Sequence, residues 1–250
     1  MPLIYAKHNT QNPKKALAQM ISRTPLSNTN LKCWQKALMI TGSGILSLAN
    51  PYRDDLVAAL GELTGERALT AIRNKMLKNP TGRAILKEKP KITYKSIDFE
   101  MLRNLPKNSF GKVYSDYMTE HGISPDSRKA VKYIKDPELA FVAQRHREVH
   151  DFLHVLFGAP TNTFGELALK LFEYLSTGLP MAGAAALFGP LRMSLADNAN
   201  FFGVAVPWAF YAAQNAVDLM CVRVEDQFEK DFKVLLGELR IVDFPKNLKS

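Results

Sequence analysis

The sequence predicts an all-α protein, a single compact multi-helix domain. Three observations carry that prediction. Apolar residues recur at three- and four-residue intervals along most of the chain. Pro, Gly and Asn interrupt those runs at the spacing of ordinary helices. Alternating, β-branched runs are almost absent: KPKITYKS at 89–96 has brief β character but no partner, and is expected to be a loop. At 250 residues and 46% hydrophobic composition the chain can bury a large core, and no linker divides it.

Taken in order, residues 31–48 read as a first helix with Trp34, Leu38 and Ile45 on its apolar positions. Asn50-Pro51 breaks it, and a second helix is expected at 52–63 with Leu56 and Leu60. After Gly65, residues 66–78 place Ala68, Leu69, Ile72 and Met76 at helical spacing; a short helix follows at 81–88. Leu105-Pro106 precedes a helix at about 107–119, and the turn-rich stretch 121–128 is a connector. The longest helix is expected from Asp136 or Pro137 to Phe157, since proline suits a first turn. Gly158-Ala159-Pro160 ends it, and another helix spans 163–177. Two apolar stretches, 179–193 and 201–213, fall short of a bilayer span and contain prolines. Their small residues suit either a buried core or a wall facing a lipid tail or a membrane surface. A last amphipathic helix is expected at about 215–239, with Phe228, Phe232, Leu235 and Leu239 on one stripe.

The net charge of +9 is concentrated at the start. Residues 1–53 hold seven of the 33 Lys/Arg and no acid, leaving 26 basic against 24 acidic residues beyond. A nucleic-acid binder would carry its surplus in the folded body, so nucleic acid is not an expected partner. An acid-free start with Lys7, Lys14, Lys15 and Arg23 reads as a mitochondrial targeting segment or a basic disordered tail over 1–25, with the helical domain at 26–250. Cys33 and Cys221 are far apart, so no disulfide framework is expected.

The chemistry concentrates in RHREVHDFLHVLFGAPTNTFGE, residues 145–166. On a helix, His150 and His154 lie one turn apart, and Asp151 lies roughly 100° round from the first and roughly 60° from the second. A short connection makes the next helix an antiparallel neighbour, and its first turn carries Glu166. Two imidazoles and two carboxylates form a ligand set suited to zinc with a position left for water or substrate, and acceptable to iron or manganese. Plainer roles exist. Asp151 can pair with Arg147, Glu166 with Lys170, and Glu166 can close a capping box with Thr163. His146 is expected to be a surface or core histidine. Burial of Phe152, Leu153, Val155, Leu156 and Phe157 would favour the metal, because two buried carboxylates need compensation.

The pattern H-D-x-x-H, eleven residues, then E (His150, Asp151, His154, Glu166) resembles the signature of the ubiquinone biosynthesis family called coenzyme Q biosynthesis protein 4. NPYR at 50–53, GELTG at 61–65, SPDSR at 124–128, TGLPM at 177–181 and GPLR at 189–192 agree with it. The resemblance covers roughly residues 30 to 240. It implies that the four signature residues bind a divalent metal, most simply Zn2+. It also implies a carboxy-lyase that removes the C1 carboxyl of a polyprenylated 4-hydroxybenzoate, with or without hydroxylation at C1. Arg147 and Glu173 are candidate supports for the ligands. Expected partners are the lipid-tailed phenolic acid, other ubiquinone biosynthesis enzymes and the matrix side of the mitochondrial inner membrane as a peripheral surface; the apolar surplus leaves room for a homodimer.

Two alternatives stand beside the lyase. The first is a lipid-binding scaffold for the biosynthetic enzymes with a structural metal. The second is an HD-type phosphohydrolase built on His150-Asp151 with His121 and Asp197 or Asp218, which leaves His154 and PTNTFGE unexplained.

Overall fold

The structure, a computed structural model, describes residues 61–127 and 130–245. The expected helix at 31–48, most of that at 52–63, the segment 1–25 and the motif residues 50–53 and Arg128 lie outside them.

Helix α1 (Glu66–Lys78) buries Leu69, Ile72 and Met76 on one stripe, as its spacing dictates. Asn79 then turns the chain: its side chain accepts from the Gly82 amide at 3.0 Å, and Pro80 opens helix α2 (Pro80–Glu88). A Cβ on Gly82 would meet the Met76 carbonyl oxygen at 2.4 Å, so only glycine lets α2 fold back this closely on α1. The stretch from Lys89 to Asp98 is a loop, as expected, pinned by Ile92 and Ile97 in the core.

Helix α3 (Phe99–Asn104), capped by Asp98, was not expected from the sequence. Helix α4 runs Phe110–Glu120 and starts three residues later than anticipated, because the Ser109 hydroxyl, and not Pro106, caps it. The connector contains one tight turn at Pro125–Ser127.

Helix α5 (Pro137–Phe157) is the axis of the fold, with 15 of its 21 residues buried. Asp136 accepts from the Glu138 and Leu139 amides at one end, and Gly158 takes a left-handed φ of 62° at the other. Helix α6 (Thr163–Thr177) is capped by Asn162 and ends at Gly178, φ 72°. Helices α7 (Pro180–Phe188), α8 (Leu195–Asn200) and α9 (Val206–Asn215) follow. A π turn at Phe201–Ala205 joins α8 to α9, and both α7 and α9 pack on α6.

The expected long helix at 215–239 is a correction. Only α10 (Phe232–Glu238) is α-helical there, preceded by short 3-10 turns at Leu219–Cys221 and Val224–Asp226. Asp218 and Asp231 cap new turns by accepting from the amides that follow them. The Phe228 and Lys230 carbonyls accept from Gly111 and Phe110 in α4, so they are lost to any local helix. Phe228, Leu235 and Leu239 are nevertheless buried, as their spacing suggested.

Among the described residues there is no strand, and the isolated bridge Ser109–Asp231 is the one β-type pairing. The fold is all-α. A main apolar core gathers around the second half of α5, and a smaller one joins α1, α2 and the start of α5. No helix among the described residues is long and apolar enough to cross a membrane.

Candidate metal centre

Helices α5 and α6 meet through long side chains, and a file of polar groups runs through their apolar interface. Asn162 starts α6 abruptly, its side chain accepting from Gly165 at 2.9 Å. A Cβ on Gly165 would stand 2.1 Å from the Pro160 carbonyl oxygen, so glycine is what lets the connection close so tightly. Glu166 therefore comes back against α5. Its Oε2 lies 3.3 Å from His150 Nε2 and its Oε1 lies 3.1 Å from His154 Nε2. The capping box does not form, since Asn162 is the cap. Glu166 does not pair with Lys170 either.

Each imidazole is held from behind. His150 Nδ1 is 2.8 Å from Glu173 Oε1, and His154 Nδ1 is 3.2 Å from the Ala159 carbonyl oxygen. A carbonyl oxygen only accepts, so His154 donates through Nδ1–H. Neutral His154 then turns its Nε2 lone pair towards a carboxylate oxygen, an arrangement that requires a cation or a proton between them. His150 Nδ1 meets both the Glu173 carboxylate at 2.8 Å and the Lys170 ammonium at 3.2 Å; with Nδ1–H donating to the nearer carboxylate, its Nε2 faces Glu166 in the same way. The two histidines are almost wholly buried, whereas the Glu166 side chain is 39% exposed, so the trio opens to solvent on the Glu166 side. Donor atoms of His150, His154 and Glu166 all lie within 4.8 Å of one another, the separation that a shared ion needs.

Electrostatics follow from this contact. Burial opposes ionisation of Glu166, but hydrogen bonds and charge from His150 and His154 outweigh it and hold its carboxyl far below the usual range. Burial and Lys170 oppose charge on His150, but Glu173 and Glu166 outweigh them and raise its pKa above the ordinary 6.5. For Glu173, burial is again outweighed, chiefly by Lys170 and His150, so it stays ionised.

Of the residues singled out in the sequence, Asp151 is buried at 2% exposure but is not part of the trio. Glu173 contacts His150, its Oε1 lying 2.8 Å from Nδ1. Arg147 NH2 donates to Glu62 Oε1 at 2.8 Å, and Glu62 also receives the Lys132 and Tyr133 amides, which ties residues before α1 to the loop before α5. His121, Asp197 and Asp218 take no part, being engaged with Tyr117, Ser194 and Met220. His146 is buried, 3.6 Å from Glu173 Oε1, and its Nε2 has no hydrogen-bond partner. One-turn spacing from His150 and Glu166 marks His146 and Lys170 in the sequence. Nothing in the sequence marks the Ala159 carbonyl.

Comparison with known proteins follows the same lines. The family model described as coenzyme Q (ubiquinone) biosynthesis protein Coq4 matches residues 27–245. The chain is 43% identical over 207 residues to "Ubiquinone biosynthesis protein COQ4 homolog, mitochondrial" of Aedes aegypti, covering 83% of this chain and 76% of that protein. The homologue of the same name from Bos taurus is 42% identical over 216 residues, covering 86% and 82%. "Ubiquinone biosynthesis protein COQ4, mitochondrial" of Yarrowia lipolytica is 41% identical over 244 residues, with 93% of each covered. A crystal structure from Nostoc punctiforme PCC 73102 shares the fold, with a TM-score of 0.63 at 20% identity over 80% of this chain and 96% of that one.

Proposed function

The chain belongs to the Coq4 family of coenzyme Q (ubiquinone) biosynthesis proteins, and from that premise we propose that it is a metal-dependent carboxy-lyase. The substrate is a 4-hydroxybenzoate ring bearing a polyprenyl chain, whose C1 carboxyl leaves as CO2 while a proton takes its place on C1. The observation that carries this is the convergence of His150 Nε2 and His154 Nε2 on one carboxylate, with both Nδ1 atoms held by acceptors.

His150, His154 and Glu166 would hold the cation, most simply Zn2+; Asp151 remains a fourth candidate on the strength of the motif rather than of this geometry. Three protein ligands leave a position open, as catalytic zinc sites do. When bound, the cation supplies Lewis-acid stabilisation of negative charge gathering on a substrate oxygen. The protein's own groups do the rest. Glu173 and the Ala159 carbonyl keep the imidazoles oriented. Val149, Leu153, Phe157 and Phe172 belong to the main apolar core and lower the dielectric around the two histidines. Glu166, on the exposed side, leaves the approach open. The phenolic hydroxyl para to C1 feeds electron density into that carbon and eases its protonation.

By the names of its relatives the protein works in mitochondria, and we place it at the matrix face of the inner membrane as a peripheral protein. A second, compatible role is favoured by one observation. Leu187, Leu191, Leu195 and Phe202 are 69%, 80%, 90% and 60% exposed, an apolar surface suited to holding other ubiquinone biosynthesis enzymes together at the membrane.

Incubating purified protein with a prenylated 4-hydroxy-3-methoxybenzoate and measuring CO2 tests the lyase. Release by the wild type and its loss in a folded Glu166→Ala variant is the expected result; full activity in that variant refutes the site.

A further inference from the structure

The polar file between α5 and α6 extends beyond the trio. His146, His150 and His154 recur every four residues on α5, and Glu166, Lys170 and Glu173 share a face of α6. The helices run antiparallel, so His146 meets Glu173, His154 meets Glu166, and His150 lies between them. Lys170 sits at the middle of this file. Its Nζ donates to Glu173 Oε2 at 2.6 Å and lies 3.2 Å from His150 Nδ1.

Glu173 is 2% exposed, and its two oxygens have separate tasks. Oε2 is tied to Lys170, and Oε1 faces His150 Nδ1 at 2.8 Å. A competitor stands close by: His146 Nε2, buried and without a hydrogen-bond partner, is 3.6 Å from the same Oε1. An untethered Glu173 could satisfy that nitrogen by a small rotation, and His150 would lose the acceptor that sets its ring.

We propose that Lys170 is a positioning residue of the metal site, acting on His150 through Glu173: its ammonium holds the carboxylate against His150 and away from His146. The proposal rests on the assignment of His150, His154 and Glu166 as metal ligands. Lys170 touches none of the reacting groups in this account; it fixes a group that fixes a ligand.

The test uses full-length, metal-stripped protein titrated with Zn2+ in wild-type, Lys170→Met, Lys170→Arg, Glu173→Gln and Lys170→Met/Glu173→Gln forms. Loss of such an orienting partner typically costs roughly 10- to 100-fold in metal affinity, and that loss is expected for Lys170→Met and for Glu173→Gln. The double variant should bind no more weakly than Glu173→Gln alone, and Lys170→Arg should recover most of the affinity. In the metal-free state, the ring nitrogen resonances of His150 should move in Lys170→Met and return towards wild type in Lys170→Arg, which a general loss of stability would not produce. Wild-type affinity in Lys170→Met, or losses that simply add in the double variant, overturns the proposal. If the wild type itself binds no Zn2+, the metal assignment falls and this proposal with it; if the wild type binds and Lys170→Met matches it, this proposal alone falls.

Discussion

His154 Nε2 and Glu166 Oε1 lie 3.1 Å apart, although eleven residues and a helix break separate them. The contact exists because Gly158 ends one helix, Asn162 starts the next, and Gly165 tolerates the Pro160 carbonyl. Replacing Gly165 by Ala should therefore weaken metal binding without removing any ligand. The added Cβ would fall 2.1 Å from that oxygen, so the start of α6 must shift. Zinc titration and thermal unfolding of Gly165→Ala check this; unchanged affinity would show that the tight connection does not set the position of Glu166.

In the proposed metal site, cation binding and protonation would compete at His150. Its pKa is raised above 6.5, so below that raised value the ring nitrogen facing Glu166 carries a proton. Zinc affinity should fall as pH drops through this region, beginning at a higher pH than for a free imidazole, with protons released on binding. Calorimetry in buffers of different ionisation enthalpy measures that release. In the metal-free protein the sign is opposite. The stability contributed by charged His150 is fully present below about 6.5 and is lost as pH rises through the raised folded value.

His146 behaves in the other direction. Burial pushes its pKa down to about 4, against the pull of Glu173. The unfolded chain takes up this proton near 6.5, whereas the folded chain waits until about 4. Stability is thus lost as pH falls through that window, at roughly 1.4 kcal/mol per pH unit. Denaturant unfolding of metal-stripped protein at pH 7 and pH 5 should show wild type losing about 2 kcal/mol more than His146→Leu. Equal losses in the two proteins would contradict the assignment.

Arg145 is fully buried and binds Glu225 through two bonds of 3.0 Å and the Val222 carbonyl at 2.8 Å. It anchors the turns that replace the expected C-terminal helix. Arg145→Ala should cost about 3–5 kcal/mol, because it leaves a largely buried carboxylate unpaired. Arg145→Ala/Glu225→Ala should recover part of that loss. Urea unfolding of both variants measures it.

Much of the site could be read from residue order. Asp136-Pro137, Gly158 and Gly178 punctuate α5 and α6 because caps and left-handed glycines act locally, and local signals survive in sequence; the cap of α6 is Asn162, one residue before the Thr163 of the expected capping box. The one-turn spacing of His150 and His154 likewise placed both on one face. Long-range partners were not legible. Arg147 donates to Glu62, 85 residues earlier, and nothing near Arg147 announces it. The stripe Phe228, Phe232, Leu235, Leu239 has helical spacing, but α4 claims the Phe228 and Lys230 carbonyls, so the chain buries Phe228, Leu235 and Leu239 and half-buries Phe232 with turns and the short α10. Asp151 adjoins His150 in the chain, yet its carboxylate is not among the three groups whose ligand atoms converge.

Elemental analysis of full-length protein purified without added metal decides whether the centre exists. One divalent ion per chain, zinc foremost, is expected, and its loss in a folded Glu166→Ala variant. A correctly folded wild-type sample that carries no metal and takes up none when zinc is supplied would contradict the metal assignment.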